Sequence, residues 1–325
     1  MYRLWFERPM PSVYAPLLDG VAVAIGPESV NSDNPLAALP DAQAIIAGAR
    51  IRYDGALMDQ APALRVISRT GIGIDNLSLE AATARKIAVC NTPDGPTIST
   101  AEHAIALMFA ITKFLKRNED SLRDGRKHDF FGENQGLELA GRQLGVVGVG
   151  RIGGRVARVA LALDMKVLVY DPYLGPERLA EMGVALAPTL ETLLATSDVV
   201  SLHLPATAET RHLINAERLA LMKPGAFLIN SARGTLIDEA ALIAALDSGH
   251  LGGAGLDVFD PEPPRPDNPL LHRDNVVATP HIASATPAGK DRMWRTAITQ
   301  ALQVLRGERP PHLCNPEVWD KLPGQ

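Results

Sequence analysis

From Arg142 onward the chain alternates short apolar runs with amphipathic segments of helix length, and that rhythm limits what it can fold into. Gln143-Val147, Lys166-Tyr170, Asp198-His203, Ala226-Asn230, Gly253-Asp257 and Asn275-Ala278 read as strands, with helical patterns between them. Near-continuous apolar strands are those buried on both faces, and a helix-length crossover is what joins parallel neighbours. The expectation is an α/β fold, a parallel sheet covered by helices on both sides. A fainter version of the same alternation occupies the first hundred residues: Val21-Ile25, Ala44-Ile46, Arg65-Ser68 and Ile87-Cys90, closed by the turn-rich stretch Asn91-Thr92-Pro93-Asp94-Gly95-Pro96. With 325 residues the chain has the length of two domains, and each can bury its own core. Single helices are expected over about Ser99 to Arg117 and Thr286 to Arg306, where the chain would cross between domains; beyond the second lies a Pro-rich tail that either frays or packs on the first domain.

Charge and cysteine content narrow the partners. A formal net charge of -5, with basic residues scattered, gives no basic face for displacing phosphate counterions, so no nucleic-acid partner is expected. Cys90 and Cys314 are too few for a disulfide framework and lack paired metal-ligand spacing; no metal is expected, and a reducing, cytoplasmic setting is. Met1 to Pro11 carries charges and prolines where a signal peptide needs an apolar core, and Val21-Ile25 is too short to span a bilayer, so no membrane association is expected.

The sharpest local feature is Gly148-Val149-Gly150-Arg151-Ile152-Gly153, which follows an apolar strand and opens a helix whose apolar positions Ile152, Val156, Val159 and Leu163 recur at helical spacing. Gly148 permits the tight turn, Gly150 lets backbone approach a pyrophosphate, Gly153 lets helix meet strand, and the helix N-terminus faces the anion. Asp171 closes the next strand. A carboxylate there accepts hydrogen bonds from ribose hydroxyls and repels a 2'-phosphate, and no arginine follows within Pro172-Tyr173-Leu174-Gly175 to neutralise one. NAD is therefore expected over NADP.

Open α/β sheets bind ligands beyond the carboxyl ends of their strands. Three such ends carry reactive side chains: Arg233 follows Ala226-Asn230, Glu262 follows Gly253-Asp257 between prolines, and His281 follows Asn275-Ala278. Hydride transfer at a carbon bearing oxygen needs a group that takes or gives the hydroxyl proton, which histidine can do near neutral pH. His281 is the candidate general acid/base, with Glu262 on its second ring nitrogen to set the tautomer. An arginine can grip a carboxylate with two prongs while polarising the adjacent carbonyl, and Arg233 is placed to do so. Each of these residue types also serves as an ordinary ion pair or loop residue. His203, His103 and His250, which have no evident acid partner in sequence, are read as structural.

Together these segments resemble the D-isomer-specific 2-hydroxyacid dehydrogenases over nearly the whole chain. The resemblance is carried by Arg69-Thr70-Gly71-Ile72-Gly73-Ile74-Asp75-Asn76, Asn91-Thr92-Pro93, Ala101-Glu102-His103, the glycine run, Ser231-Ala232-Arg233-Gly234, Leu256-Asp257-Val258-Phe259 with Glu262-Pro263, and Thr279-Pro280-His281. It implies two doubly wound parallel-sheet domains: a flavodoxin-like substrate domain from residues 1–98 plus 285–325, and a Rossmann NAD-binding domain from 99–284. It implies a homodimer, the same roles for Arg233, Glu262 and His281, and a small 2-hydroxy or 2-oxo acid as substrate. It adds the backbone amides of Ile72 and Gly73 as carboxylate donors, Arg151, Ile152, Leu204, Ser231 and Ala232 as cofactor contacts, and Asp257 as partner of the nicotinamide amide.

Two alternatives accompany that reading. Phosphoglycerate dehydrogenases of the family place one arginine where Arg69 stands and another near Gly48; here Arg69 matches and Arg50 is close by. Oxidation of D-3-phosphoglycerate is thus the nearest enzymatic rival, differing in the substrate tail and not in the chemistry. An NAD-sensing binding protein, like the corepressors that share this fold, is the rival from another class. Phe130-Phe131 stand where a tryptophan is common in the family.

Overall fold

The structure, a computed structural model, describes residues 1–125, 135–175, 177 and 181–322; Phe130 and Phe131 lie outside them. The chain divides into two compact units, one formed by Met1–Pro96 with Ala285–Gln325 and the other by Thr97–Ser284.

The first unit holds five parallel strands, β1 (Tyr2–Phe6), β2 (Ala22–Ile25), β3 (Ala44–Ala47), β4 (Val66–Arg69) and β5 (Ala88–Cys90), in the order β2-β1-β3-β4-β5. This is the flavodoxin-like winding, with its reversal at the first strand. Side chains alternate across the sheet as the strand period of two demands. Leu4, Phe6, Ile46, Val66 and Cys90 pack against Ala297, Ile298, Ala301 and Leu305 of the helix Pro287–Arg306, while Trp5, Ile45, Ile67 and Val89 pack on the other side with Tyr53, Leu57 and Met58. That helix has full punctuation: Thr286 accepts a hydrogen bond from the Gly289 amide at 3.0 Å, Pro287 opens the first turn, and Gly307 ends it at φ 80°.

Two expectations are corrected or resolved here. β1 was absent from the sequence reading because Arg3, Glu7 and the prolines after it mask a short strand, yet Leu4, Trp5 and Phe6 are buried and β1 is paired on both sides. The Pro-rich tail packs on the first unit: Val318, Trp319 and Leu322 are buried in its core, and the Asn315 side chain accepts from the Val89 amide (2.8 Å) and donates to the Ile87 carbonyl (2.9 Å).

The second unit is a seven-stranded parallel sheet of β6 (Gln143–Val147), β7 (Lys166–Tyr170), β8 (Ala185–Leu186), β9 (Val199–Leu202), β10 (Ala226–Asn230), β11 (Leu251–Leu256) and β12 (Val276–Ala278), ordered β12-β11-β10-β9-β6-β7-β8. The direction in which strands are added reverses between β6 and β9, the switch point of a Rossmann fold. Six of these strands match expectation. The seventh, β8, is a two-residue edge strand with both side chains exposed, so no hydrophobic signal marks it. The helix expected over Ser99 to Arg117 is two helices, Thr97–Thr112 and Leu115–Arg123, bent by 55°. The break is at Phe114, held at φ 50° while its ring packs against Phe227 at 6.0 Å between centroids; tertiary packing overrides a helical periodicity that runs on through it.

Candidate functional site

Strand register sets up the site. Tyr170, Val147, Leu202, Asn230, Leu256 and Ala278 are successive partners across the sheet, so the carboxyl ends of β7, β6, β9, β10, β11 and β12 finish along one line. The residues that follow are Asp171, Gly148, His203, Ser231, Asp257 and Thr279. Nearly every site candidate of this unit therefore emerges from one edge.

At the centre of that edge is the glycine turn. Gly148 sits at φ 86°, and a Cβ there would meet the His203 carbonyl oxygen at 2.6 Å; a Cβ on Gly153 would meet the Gly148 carbonyl oxygen at 2.1 Å. Neither position admits a side chain, because strand end and helix start are in contact. At Gly150, by contrast, an added Cβ would meet nothing. Gly150 is the N-cap of the helix Arg151–Ala162 and, having no side chain, makes no cap bond of its own. Asp171 accepts from the Val149 amide (2.8 Å) and from the Tyr173 amide (3.0 Å), which ties the end of β7 to the turn. Ser231 Oγ is buried without a hydrogen-bond partner among the described residues. A helix start with open space at its glycine N-cap, a carboxylate on the adjoining strand and an orphaned hydroxyl form a donor and acceptor set that fits a dinucleotide. Gly148 to Gly153 would hold the pyrophosphate, Asp171 the ribose, and Ser231 and Ala232 the far end. Leu204, half-buried, closes on Gly148, and Arg151 and Ile152 form the first turn of the helix.

The candidate reacting groups occupy the end of the same edge. His281 Nδ1 lies 2.5 Å from Glu262 Oε1, and both side chains are partly exposed. Arg233 follows β10, the strand next to β11, and its Nη1 donates to the Ala232 carbonyl at 2.6 Å. A Cβ on the adjacent Gly234 would lie 2.0 Å from the Phe259 carbonyl carbon, so the Arg233 loop and the start of the Glu262 loop are in backbone contact.

Asp257, which follows β11, is enclosed by hydrogen-bond donors of its own unit. Its side chain has no exposed surface; Oδ1 accepts from Thr279 Oγ1 (2.6 Å) and the Ile282 amide (2.9 Å), and Oδ2 from the Ala283 amide (2.9 Å). Burial pushes its pKa upward, but the hydrogen bonds from His103, Thr279, Ile282 and Ala283 outweigh that and hold it below the usual aspartate value. The carboxylate organises the loop that carries His281. Of the histidines read as structural, His203 is driven down to about 4 by desolvation, is neutral at pH 7, and pairs with Ser201 Oγ at 2.8 Å; His250 Nε2 lies 3.2 Å from the Leu219 carbonyl.

In the first unit the corresponding edge carries Arg69, Ile72 and Gly73. Arg69 Nη1 donates to the Thr70 carbonyl (2.6 Å), and Arg50 Nη1 to the Val30 carbonyl (2.8 Å). Asn91 Nδ2 donates to the Ile72 carbonyl at 2.8 Å, so in a trans peptide the Gly73 amide points the opposite way. The sequence reading missed Glu7, because it missed β1. This buried carboxylate accepts from the Gly48 amide (2.5 Å), the Arg50 amide (2.9 Å) and Tyr53 Oη (2.7 Å), bracing the loop after β3. Burial and the Glu7 charge push the Tyr53 hydroxyl well up, so it remains a donor.

One expectation concerns Asp171. Asp171→Asn keeps an acceptor for the Val149 amide and removes the charge, so the preference for NADH over NADPH should fall by about ten- to a hundredfold, the value of a charge-assisted hydrogen bond. The ratio of kcat/KM for the two cofactors measures it; an unchanged ratio would remove Asp171 from ribose recognition.

Comparison with known proteins agrees with this geometry. Residues 105–283 match the family model described as D-isomer specific 2-hydroxyacid dehydrogenase, NAD binding domain. A D-3-phosphoglycerate dehydrogenase of Archaeoglobus fulgidus is 45% identical over 250 residues, covering 76% of this chain and 46% of that one. A glyoxylate reductase of Korarchaeum cryptofilum is 41% identical over 280 residues, 86% of this chain and 84% of the relative. The crystal structure of D-lactate dehydrogenase from Aquifex aeolicus, complexed with NAD and lactic acid, superposes with a TM-score of 0.84 at 33% identity, covering 96% of this chain and 99% of that one. The chain spans about half the length of the phosphoglycerate dehydrogenases it matches. With a glycine turn, a strand-end carboxylate and a histidine–glutamate pair along one sheet edge, the chain belongs to the D-isomer-specific 2-hydroxyacid dehydrogenase family, and its second unit is that family's NAD-binding domain.

Proposed function

We propose that this protein is an NAD-dependent oxidoreductase that interconverts a small D-2-hydroxy acid and its 2-oxo acid. The observation that carries the reading is the 2.5 Å contact between His281 Nδ1 and Glu262 Oε1 at the carboxyl edge of the NAD-binding sheet. Because an ionised carboxylate only accepts, Nδ1 is the donor, and Nε2 is the nitrogen that exchanges a proton with substrate. Bound NADH supplies the hydride to C2 of the 2-oxo acid. As the carbonyl π electrons withdraw onto oxygen, His281 delivers the Nε2 proton there and becomes neutral, while Glu262 stabilises the imidazolium before transfer. Oxidation runs the same steps backwards, with neutral His281 taking the hydroxyl proton. Arg233 grips the substrate carboxylate and polarises the adjacent carbonyl.

A second reading, oxidation of D-3-phosphoglycerate, is favoured by the identity to phosphoglycerate dehydrogenases and by Arg69. Against a phosphate tail, the second arginine of that pattern is not at Gly48, and the nearest, Arg50, stands two positions further on. Steady-state turnover with NADH on a panel of 2-oxo acids, and with NAD on 3-phosphoglycerate, separates the readings. The 2-oxo acids are expected to dominate; dominance of phosphoglycerate reverses the order, and cofactor-linked assembly without turnover on any of them replaces both with a sensing role.

The same reading includes a cytoplasmic homodimer with no nucleic-acid or membrane partner. Leu115 and Leu122, seven residues apart on one helix face, are exposed at 56% and 78%, apolar surface of the kind a second copy would cover. Sedimentation velocity at twice the 34.8 kDa chain mass is the expected result, and a monomer would refute it.

A further inference from the structure

His103 belongs neither to the glycine turn nor to the reacting groups, yet it reaches the loop that presents His281. It comes from the helix Thr97–Thr112, which lies directly on β11 because Gly255 has no side chain; a Cβ there would meet Leu107 Cβ at 3.0 Å. His103 is one turn before Leu107 and so shares its face. Its Nε2 lies 2.9 Å from Thr279 Oγ1 and, more distantly, 3.5 Å from Asp257 Oδ1, and the Thr279 hydroxyl donates to that same Oδ1 at 2.6 Å. A hydroxyl has one proton. Since Thr279 gives that proton to the carboxylate, the proton between Thr279 and His103 must sit on Nε2. Donation therefore runs one way, from His103 to Thr279 to Asp257.

Asp257 passes the constraint on. Its carboxylate accepts the Ile282 and Ala283 amides, and its main-chain carbonyl accepts the His281 amide at 2.7 Å. His281 itself stands at φ 52°, in the left-handed region that is uncommon for residues other than glycine, although histidine enters it more readily than most. Such a conformation persists where the surroundings over-determine it. The hydrogen bonds around Asp257 supply that over-determination. With Asp257 fully buried and His103 only 20% exposed, water competes poorly for these bonds.

We propose that His103, acting through the Thr279 hydroxyl, is a positioning residue that holds the His281 loop in the backbone conformation that brings its imidazole to Glu262. For its kinetic consequence the proposal rests on the oxidoreductase reading; for its structural consequence it does not. The test on the full chain therefore has two readouts: hydrogen exchange of the Ile282 and Ala283 amides, and steady-state reduction of glyoxylate by NADH.

In His103→Ala both amides should exchange at least about tenfold faster and kcat should fall by about tenfold, the value of one lost buried hydrogen bond, with the NADH dissociation constant unchanged. His103→Gln, whose amide nitrogen can stand where Nε2 does, should restore both. Thr279→Val removes the hydroxyl at nearly constant shape and should reproduce the His103→Ala result, which keeps the test decisive if the alanine variant fails to fold. Unchanged exchange in His103→Ala, or in Thr279→Val where the former does not fold, overturns the proposal, as does a loss of activity that His103→Gln does not restore. If the unsubstituted protein reduces neither glyoxylate nor other 2-oxo acids, the oxidoreductase reading fails while the exchange data still decide on the clasp.

Discussion

His281→Ala is expected to lower kcat for 2-oxo acid reduction by about a thousandfold while leaving NADH affinity within about twofold, since a positioned general acid contributes about 10²–10⁴. The separation follows from the sheet. The glycine turn and Asp171 lie at the ends of β6 and β7, whereas His281 follows β12 at the opposite margin, so removing the imidazole leaves the groups assigned to pyrophosphate and ribose untouched. Glu262 would lose the partner it now holds at 2.5 Å, and nothing else in the proposed chemistry supplies a proton to the substrate oxygen. NADH fluorescence titration gives the affinity and steady-state kinetics the rate. Turnover retained in the alanine variant would remove His281 from proton transfer.

Replacing Arg233 should produce the second large effect, of a different kind. Arg233→Ala is expected to cost about a hundredfold or more in kcat/KM, from the lost charge-assisted hydrogen bonds to the carboxylate and the lost polarisation of the carbonyl. Arg233→Lys should recover only part, because an ammonium is a point charge and cannot reproduce the planar fork. The expected pattern is a raised KM together with a lowered kcat, since the group acts on bound substrate and on the charge that develops on its oxygen. The guanidinium is preorganised for this: Nη1 is held by the Ala232 carbonyl, and the following Gly234 is locked against Phe259. A KM unaltered by Arg233→Ala would place the substrate carboxylate elsewhere.

How much could be read in advance depended on what kind of signal each element leaves. The strands of the second unit were legible because they read as apolar runs between helix-length segments, and Gln143–Val147, Lys166–Tyr170 and Ala226–Asn230 match to the residue. β1 was not, because a five-residue strand next to charges and prolines has too little pattern to stand out. β8 was not, because neither of its side chains is buried. The split at Phe114 was invisible because hydrophobic periodicity continues across it and only the packing of its ring on Phe227 decides the backbone there.

The candidate site divides in the same way. The glycine turn, Asp171, Arg233, Glu262 and His281 could be named from the sequence, since each follows a strand and strand ends are where a doubly wound sheet places its ligands. The Glu7 brace beneath Gly48 and the clasp of His103, Thr279 and Asp257 could not. His103 and Thr279 are 176 positions apart, and a hydrogen bond of that span leaves no trace in local periodicity.

What the sequence by itself determined was therefore the α/β alternation and the identity of the groups at the carboxyl ends of the second sheet, because periodicity and turn chemistry are local properties of the chain. Which partner His103 would meet, and that the Asp257 carboxylate would accept the amides of Ile282 and Ala283, was decided only in three dimensions. Hydrogen-bond partners and burial arise from the juxtaposition of distant segments, and a one-dimensional pattern carries no record of them.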